Sequence, residues 1–207
     1  CIGLGMSVKS YNTLNKHEID SNGELICDQP FPSMPIGFWN DTDDVRYKKA
    51  YFSDIPNVWK HGDFIKINKR GGVIILGRSD TTLNPGGVRI GTSEIYQSLD
   101  RLNYIDDSIV VSKKNNNDEE ILFFIKINNE IELSDNMINE IKQTIKEKCS
   151  PRHVPSFIFK VNDIPYTING KKIEIAVRNI VNGNEILNLD AISNPECLNE
   201  YKVSFNV

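Results

Sequence analysis

The chain has 207 residues, 39% of them hydrophobic and 25% charged, with a formal net charge of −4. That composition is ordinary for a globular protein, and the length suffices for one substantial core or two smaller ones. The basic residues are spread rather than massed, so nothing points to nucleic acid, and no apolar run approaches the roughly 20 residues that span a bilayer. Cys1, Cys27, Cys149 and Cys197 lie far apart, with no C-x-x-C pair and no histidine cluster. They read as reduced thiols of a cytosolic protein, neither a disulfide framework nor a zinc site. The first residue is a cysteine with no signal or amphipathic presequence after it. The expectation is the C-terminal part of a longer protein.

Residues 1–76 carry the punctuation of short strands joined by turns. Leu4 to Val8 and Glu24 to Cys27 are strand candidates, with Asn22-Gly23 as a hairpin signal between them. Pro30, Pro32 and Pro35 break regular structure. The acidic stretch from Asp41 to Asp44 suits the start of a short helix running through Arg46, Tyr47 and Tyr51. Phe64–Ile67 and Val73–Leu76 flank Lys69-Arg70-Gly71-Gly72 and predict a hairpin with a glycine turn.

Gly77 to Ile95 then departs from this rhythm. Gly77-Arg78-Ser79-Asp80 leaves the strand, Asn84-Pro85-Gly86-Gly87 crosses a loop, and Thr92 or Ser93 can cap a helix carrying Ile95, Leu99 and Leu102. Beyond it the pattern is mixed. Ile109–Val111 and Ile121–Ile127 are strands separated by a charged loop, Lys113 to Glu120, that includes the asparagine triplet Asn115–Asn117. Ser134 caps a helix with Met137, Ile138, Ile141 and Ile145 on one face. Phe157–Phe159 is a further strand, and Lys171–Val181 a last helix. The fold class is therefore α+β: a β-rich piece followed by a small sheet covered by helices.

Several residues could carry chemistry. Asp63 follows glycine directly before a strand, where a carboxylate can accept both vicinal hydroxyls of a ribose. On local grounds alone a turn aspartate is the stronger reading. Gly86 and Gly87 mark a backbone that bends sharply or lies close to something, and Arg78 and Arg89 around them can grip anionic groups. Asp80 reads as a turn-former. Lys171, where the loop gives way to the last helix, can reach an anion while the helix N-terminus adds positive potential. Most such lysines are simply surface residues.

The order of these residues decides between those readings. Gly-Arg-x-Asp, then Asn-x-x-Gly-x-Arg-Ile-Gly-Thr-x-Glu-Ile, resembles the hinge motif of the adenylate-forming acyl-CoA synthetases. Trp59-Lys60-His61-Gly62-Asp63 is similar to their Tyr/Phe-x-x-Gly-Asp, with Trp59 at the aromatic position and His61 where threonine or serine is common. Pro165-Tyr166-Thr167-Ile168-Asn169-Gly170-Lys171 resembles their Pro-x-Thr-x-x-Gly-Lys, with Tyr166 where most relatives have a basic residue. The match covers nearly the whole chain. Leu83–Arg89, Ser150–Pro155 and Pro165–Lys172 resemble the branch that joins acetoacetate to CoA.

The resemblance implies a role for each position. Asp63 would bind the ribose of ATP, and Arg78 and Arg89 the rest of the nucleotide site. Asp80 would be the hinge about which a mobile domain turns between adenylation and thioester formation. Gly86 and Gly87 would lie against the pantetheine arm of CoA, and Lys146 would contact CoA from the end of its helix, where the dipole favours a cation anyway. Lys171 would be catalytic, pairing with the substrate carboxylate and the α-phosphate. His153 reads as structural. Residues 1–79 would end a large AMP-binding domain and residues 80–207 would form the mobile domain.

The family's phosphate-gripping loop and acyl-pocket segment have no counterpart in these 207 residues. The expected partners are acetoacetate, ATP with Mg2+ held mostly by residues outside the chain, CoA, and the N-terminal part of the same polypeptide. Neither nucleic acid nor membrane is expected, and no metal ligand is assigned within the chain. A synthetase for another short acyl group, and a non-catalytic module keeping the fold, stay open at this point.

Overall fold

A computed structural model describes residues 2–116, 118–128, 131–186 and 189–202. Cys1 and Asn117 lie outside the described residues. The chain divides into two compact units, Cys1–Asp80 and Thr81–Val207.

The first unit is a four-stranded antiparallel sheet in chain order: β1 Val8–Tyr11, β2 Asn22–Cys27, β3 Trp59–Ile67 and β4 Val73–Arg78. Helix α1, Val45–Tyr51, starts where the Asp41 carboxylate accepts the Arg46 and Tyr47 N–H groups at 2.9 and 2.8 Å. Its tyrosines close an aromatic core with Trp59. Tyr51 stacks on Trp59 at 3.7 Å between centroids, and Phe31 meets the same ring edge-on at 5.4 Å.

Three local expectations are corrected in this unit. The first strand begins at Val8, not Leu4, because Gly3 to Met6 form a turn with Gly5 at φ 77°. Asn22-Gly23 is not the hairpin turn but part of β2. A Cβ on Gly23 would lie 2.5 Å from both Ser10 Oγ and Tyr11 O, so the glycine serves close strand approach, and the chain reverses earlier, with Asn15 at φ 56°. Asp63 does not precede a strand; β3 already runs from Trp59, and Asp63 sits within it.

The second unit is built on a three-stranded sheet: β5 Ile105–Asn115, β6 Asp118–Ile127 and β7 Phe157–Lys160, with β6 central, antiparallel to β5 and parallel to β7. The unbroken apolar run of β6 follows from burial on both faces. Ile121, Phe123, Ile125 and Ile127 pack under α2, Thr92–Ser98, and α3, Asp135–Lys148. Leu122 and Phe124 face α4, Glu174–Val181, and a 3-10 helix at Pro195–Tyr201 that local periodicity did not reveal. Ser134 caps α3 as expected, its hydroxyl accepting the Met137 N–H.

Boundaries again move. The strands extend into the expected charged loop, pairing Lys113 with Glu120 and Lys114 with Glu119, since opposite charges across a ladder support an exposed hairpin end. Gly91 caps α2 in place of Thr92 or Ser93, and the Glu94 carboxylate accepts its N–H at 3.4 Å. The last helix begins at Glu174, not Lys171. Lys172 pairs with Tyr166 in a β-bridge and the Ile173 N–H donates to Pro165 O, so these residues are extended, not helical.

Candidate functional site

In the first unit, the antiparallel register of β3 and β4 sets Asp63 opposite Arg78. Arg78 Nη1 lies 3.6 Å from Asp63 Oδ1, while its Nε and Nη2 donate to the two Asp80 carboxylate oxygens at 3.3 Å each. One guanidinium therefore ties the sugar-binding candidate to the hinge candidate through its planar fork. Partial burial opposes its charge, but Asp80, Asp63 and Glu24 outweigh that and hold its pKa above the ordinary value. Gly62 takes φ 87°, and a Cβ there would come within 2.9 Å of Arg78 Nη2. This explains the Gly-Asp pair locally: the glycine gives the guanidinium room beside the carboxylate. His61 Nε2 approaches Asp63 Oδ2 at 3.4 Å, and its Nδ1 accepts the Trp59 indole N–H at 3.4 Å.

In the second unit, Gly86 and Gly87 form a 3-10 turn, Pro85–Gly87, pinned to the tip of the β5–β6 hairpin. The Gly86 N–H donates to Asp118 Oδ1 at 2.6 Å and the Asn84 N–H to Glu119 Oε2 at 3.0 Å; Arg152 Nη1 donates to Gly86 O at 3.4 Å. The Gly86 N–H, helped by Glu119 N–H and Arg152, holds the Asp118 carboxyl below the usual range. Gly87 has φ 77° and nothing within 4 Å of where a Cβ would stand, so its outer face is open. Arg89 is exposed beyond this turn. Asp118, Glu119 and Arg152 were not singled out from the sequence; of the three, only Arg152 lies in a motif carrying the resemblance, Ser150–Pro155.

Lys171 ends a five-residue turn. The Thr167 N–H donates to Lys171 O and the Gly170 N–H to Thr167 O, both at 2.8 Å, and Thr167 Oγ1 accepts the Lys171 N–H at 3.1 Å. Gly170 sits at φ 73°. Threonine and glycine thus shape the turn itself. The Lys171 side chain is exposed and engages no partner among the described residues, whereas Lys172 beside it is held by Asp107 at 2.6 Å and by Ser108 O at 2.7 Å. Lys146 is exposed on the last turn of α3. His153 joins Ser150 Oγ at 2.8 Å and Glu94 Oε2 at 3.3 Å. Cys27, Cys149 and Cys197 are free thiols.

The fold carrying these residues is that of the C-terminal part of the adenylate-forming enzymes. A benzoate CoA ligase from Burkholderia xenovorans LB400 superposes with a TM-score of 0.69 over 84% of this chain and 34% of its own; at 21% identity it speaks for the fold alone. No family model matches the chain. Within that class, the chain is homologous over nearly all its length to acetoacetyl-CoA synthetases. It is 46% identical over 201 residues to that of Gallus gallus, covering 96% of this chain. It is 44% identical over 196 residues to that of Rhizobium meliloti (strain 1021), covering 95% of this chain. The Streptomyces lividans acetoacetyl-CoA synthetase structure matches with a TM-score of 0.89 and 38% identity, over 97% of this chain and 30% of its own. The chain spans about 30% of the length of the curated relatives it matches.

Proposed function

We propose that this chain serves as the C-terminal part of an acetoacetate–CoA ligase, with the boundary between its two domains at residues 79/80. The observation that carries the reading is the exposed ammonium of Lys171, without a partner among the described residues, on a shaped turn beside a lysine that is fully engaged. An exposed cation held by its backbone, not by a counter-ion, suits a ligand that supplies the negative charge.

In the proposed reaction an acetoacetate carboxylate oxygen attacks the α-phosphorus of ATP, pyrophosphate departs, and acetoacetyl-adenylate forms. The CoA thiol then attacks the acyl carbon and AMP leaves. Asp63 accepts the ribose hydroxyls, while Arg78 and Arg89 hold the nucleotide. Lys171 neutralises charge gathering between carboxylate and α-phosphate, a contribution of about 3 kcal/mol for one preorganised donor. Gly86 and Gly87 leave the pantetheine arm unobstructed, Lys146 contacts CoA, and Asp80 is the hinge. Magnesium would accompany the triphosphate. Among the described residues no group of three or more His, Cys, Asp or Glu could hold a metal ion. The remaining polypeptide would supply the phosphate loop and acyl pocket, and the enzyme would work in the cytoplasm. No helix among the described residues is long and apolar enough to cross a membrane.

The test is pyrophosphate release by the full-length polypeptide with acetoacetate, acetate and propionate in turn. Selective turnover of acetoacetate supports the reading. Equal turnover of acetate would overturn the choice of acid, and no turnover of any would overturn the enzyme.

A further inference from the structure

The turn that ends in Lys171 stands on two feet, Tyr166 and Lys172, which pair across it as an antiparallel bridge. Both side chains finish on one carboxylate. Tyr166 Oη donates to Asp107 Oδ2 at 2.6 Å, and Lys172 Nζ meets Asp107 Oδ1 at 2.6 Å. Lys172 also donates to Ser108 O at 2.7 Å and sits 4.7 Å from the centre of the Tyr96 ring. That ring is fixed in turn: its hydroxyl donates to Glu174 Oε1 at 2.6 Å and accepts the Val110 N–H at 3.1 Å. The mount therefore joins the start of α4, strand β5 and helix α2 into one braced base. Successive side chains of an extended segment point to opposite sides, so drawing Lys172 down onto Asp107 turns Lys171 outward.

The chemistry of the mount explains the tyrosine. Asp107 offers one negative charge, and Lys172 already neutralises it. A phenol gives Asp107 a second strong donor without adding another positive charge beside Lys172. We infer that Tyr166 and Asp107 are positioning residues for Lys171: they clamp its turn so that the ammonium is presented in a single geometry. This inference rests on the reading of Lys171 given above and adds two residues that act through it.

A double-mutant cycle in the full-length polypeptide tests it. Tyr166→Phe, Lys171→Ala and the double variant are compared by acetoacetate-dependent ATP–pyrophosphate exchange and by thioester formation from supplied acetoacetyl-adenylate. Asp107→Asn serves as a second probe that keeps the shape of the mount. Positioning predicts that Tyr166→Phe lowers exchange about tenfold, as expected for losing one hydrogen bond to a charged group, and leaves the thioester step unchanged. In the Lys171→Ala background Tyr166→Phe then costs nothing further. Equal losses in both backgrounds, or loss of both half-reactions together, would show a merely structural role and overturn the inference. A Tyr166→Phe enzyme at full exchange, with Lys171→Ala impaired, would overturn the inference alone. An unimpaired Lys171→Ala enzyme would overturn the reading of Lys171 and this inference with it.

Discussion

Gly87 offers a perturbation whose conformational and steric parts can be separated. It shares φ 77° with Gly71 of the β3–β4 turn, and at both positions an added Cβ would find nothing within 4 Å. Alanine at either site therefore meets the same backbone penalty, about 1 kcal/mol for an L-residue in the left-handed region, and no clash within the chain. A penalty of that size shifts a local equilibrium about fivefold. Gly71→Ala should show only this, with a slightly lowered unfolding midpoint and both half-reactions intact. If the open face of Gly87 is where pantetheine passes, Gly87→Ala carries the same stability loss but lowers thioester formation by well over 30-fold, beyond the fivefold that this strain explains. Adenylation, followed by pyrophosphate exchange, should stay near normal. The assays are thermal unfolding and the two separated half-reactions of the full-length polypeptide. A Gly87→Ala enzyme whose thioester step falls no further than that of Gly71→Ala would refute the steric argument.

Two further outcomes follow from the packing and charge of the second unit. Phe123, fully buried between the sheet and the α2–α3 layer, should cost about 3–5 kcal/mol when cut to alanine, read as a lowered urea midpoint with an unchanged slope. The Asp163 carboxyl lies below its ordinary value of 3.8, chiefly because Lys126 Nζ donates to it at 2.7 Å, with Asn194 Nδ2 adding a bond at 2.6 Å. A depressed folded-state pKa stabilises above the unfolded value and loses that contribution as pH falls through the folded one. Unfolding free energy should thus decline as pH drops below about 4, and Asp163→Asn should flatten that decline. An unchanged slope in the variant would show that other carboxylates carry it.

The features legible in the sequence were those set by short-range pattern. The apolar runs of β3 to β6 announced strands, Ser134 announced the α3 cap, and the hairpin through Gly71-Gly72 sets Asp63 opposite Arg78. What escaped were contacts that pair residues far apart in the chain. Nothing local marks Asp118 as the acceptor for the Gly86 N–H, or Asp107 as the shared anchor of Tyr166 and Lys172. Boundaries slipped for a related reason. Lys113 and Lys114 look like loop until the acids opposite them are seen, and Lys171 looks helical until Lys172 is found bridged to Tyr166. Gly23 misled because glycine marks both a turn and a close strand crossing; only the neighbouring Ser10 and Tyr11 decide which. The Pro195–Tyr201 helix, whose Cys197, Leu198 and Tyr201 are buried, has too few residues for its period to stand out.

The most direct measurement is the effect of Lys171→Ala on the two half-reactions of the full-length polypeptide, taken separately. The account predicts that acetoacetate-dependent ATP–pyrophosphate exchange falls at least a hundredfold, the value of one preorganised charge-stabilising donor, while CoA still captures supplied acetoacetyl-adenylate at close to the normal rate. Exchange at the unmodified rate, or an equal fall in both steps, would contradict it.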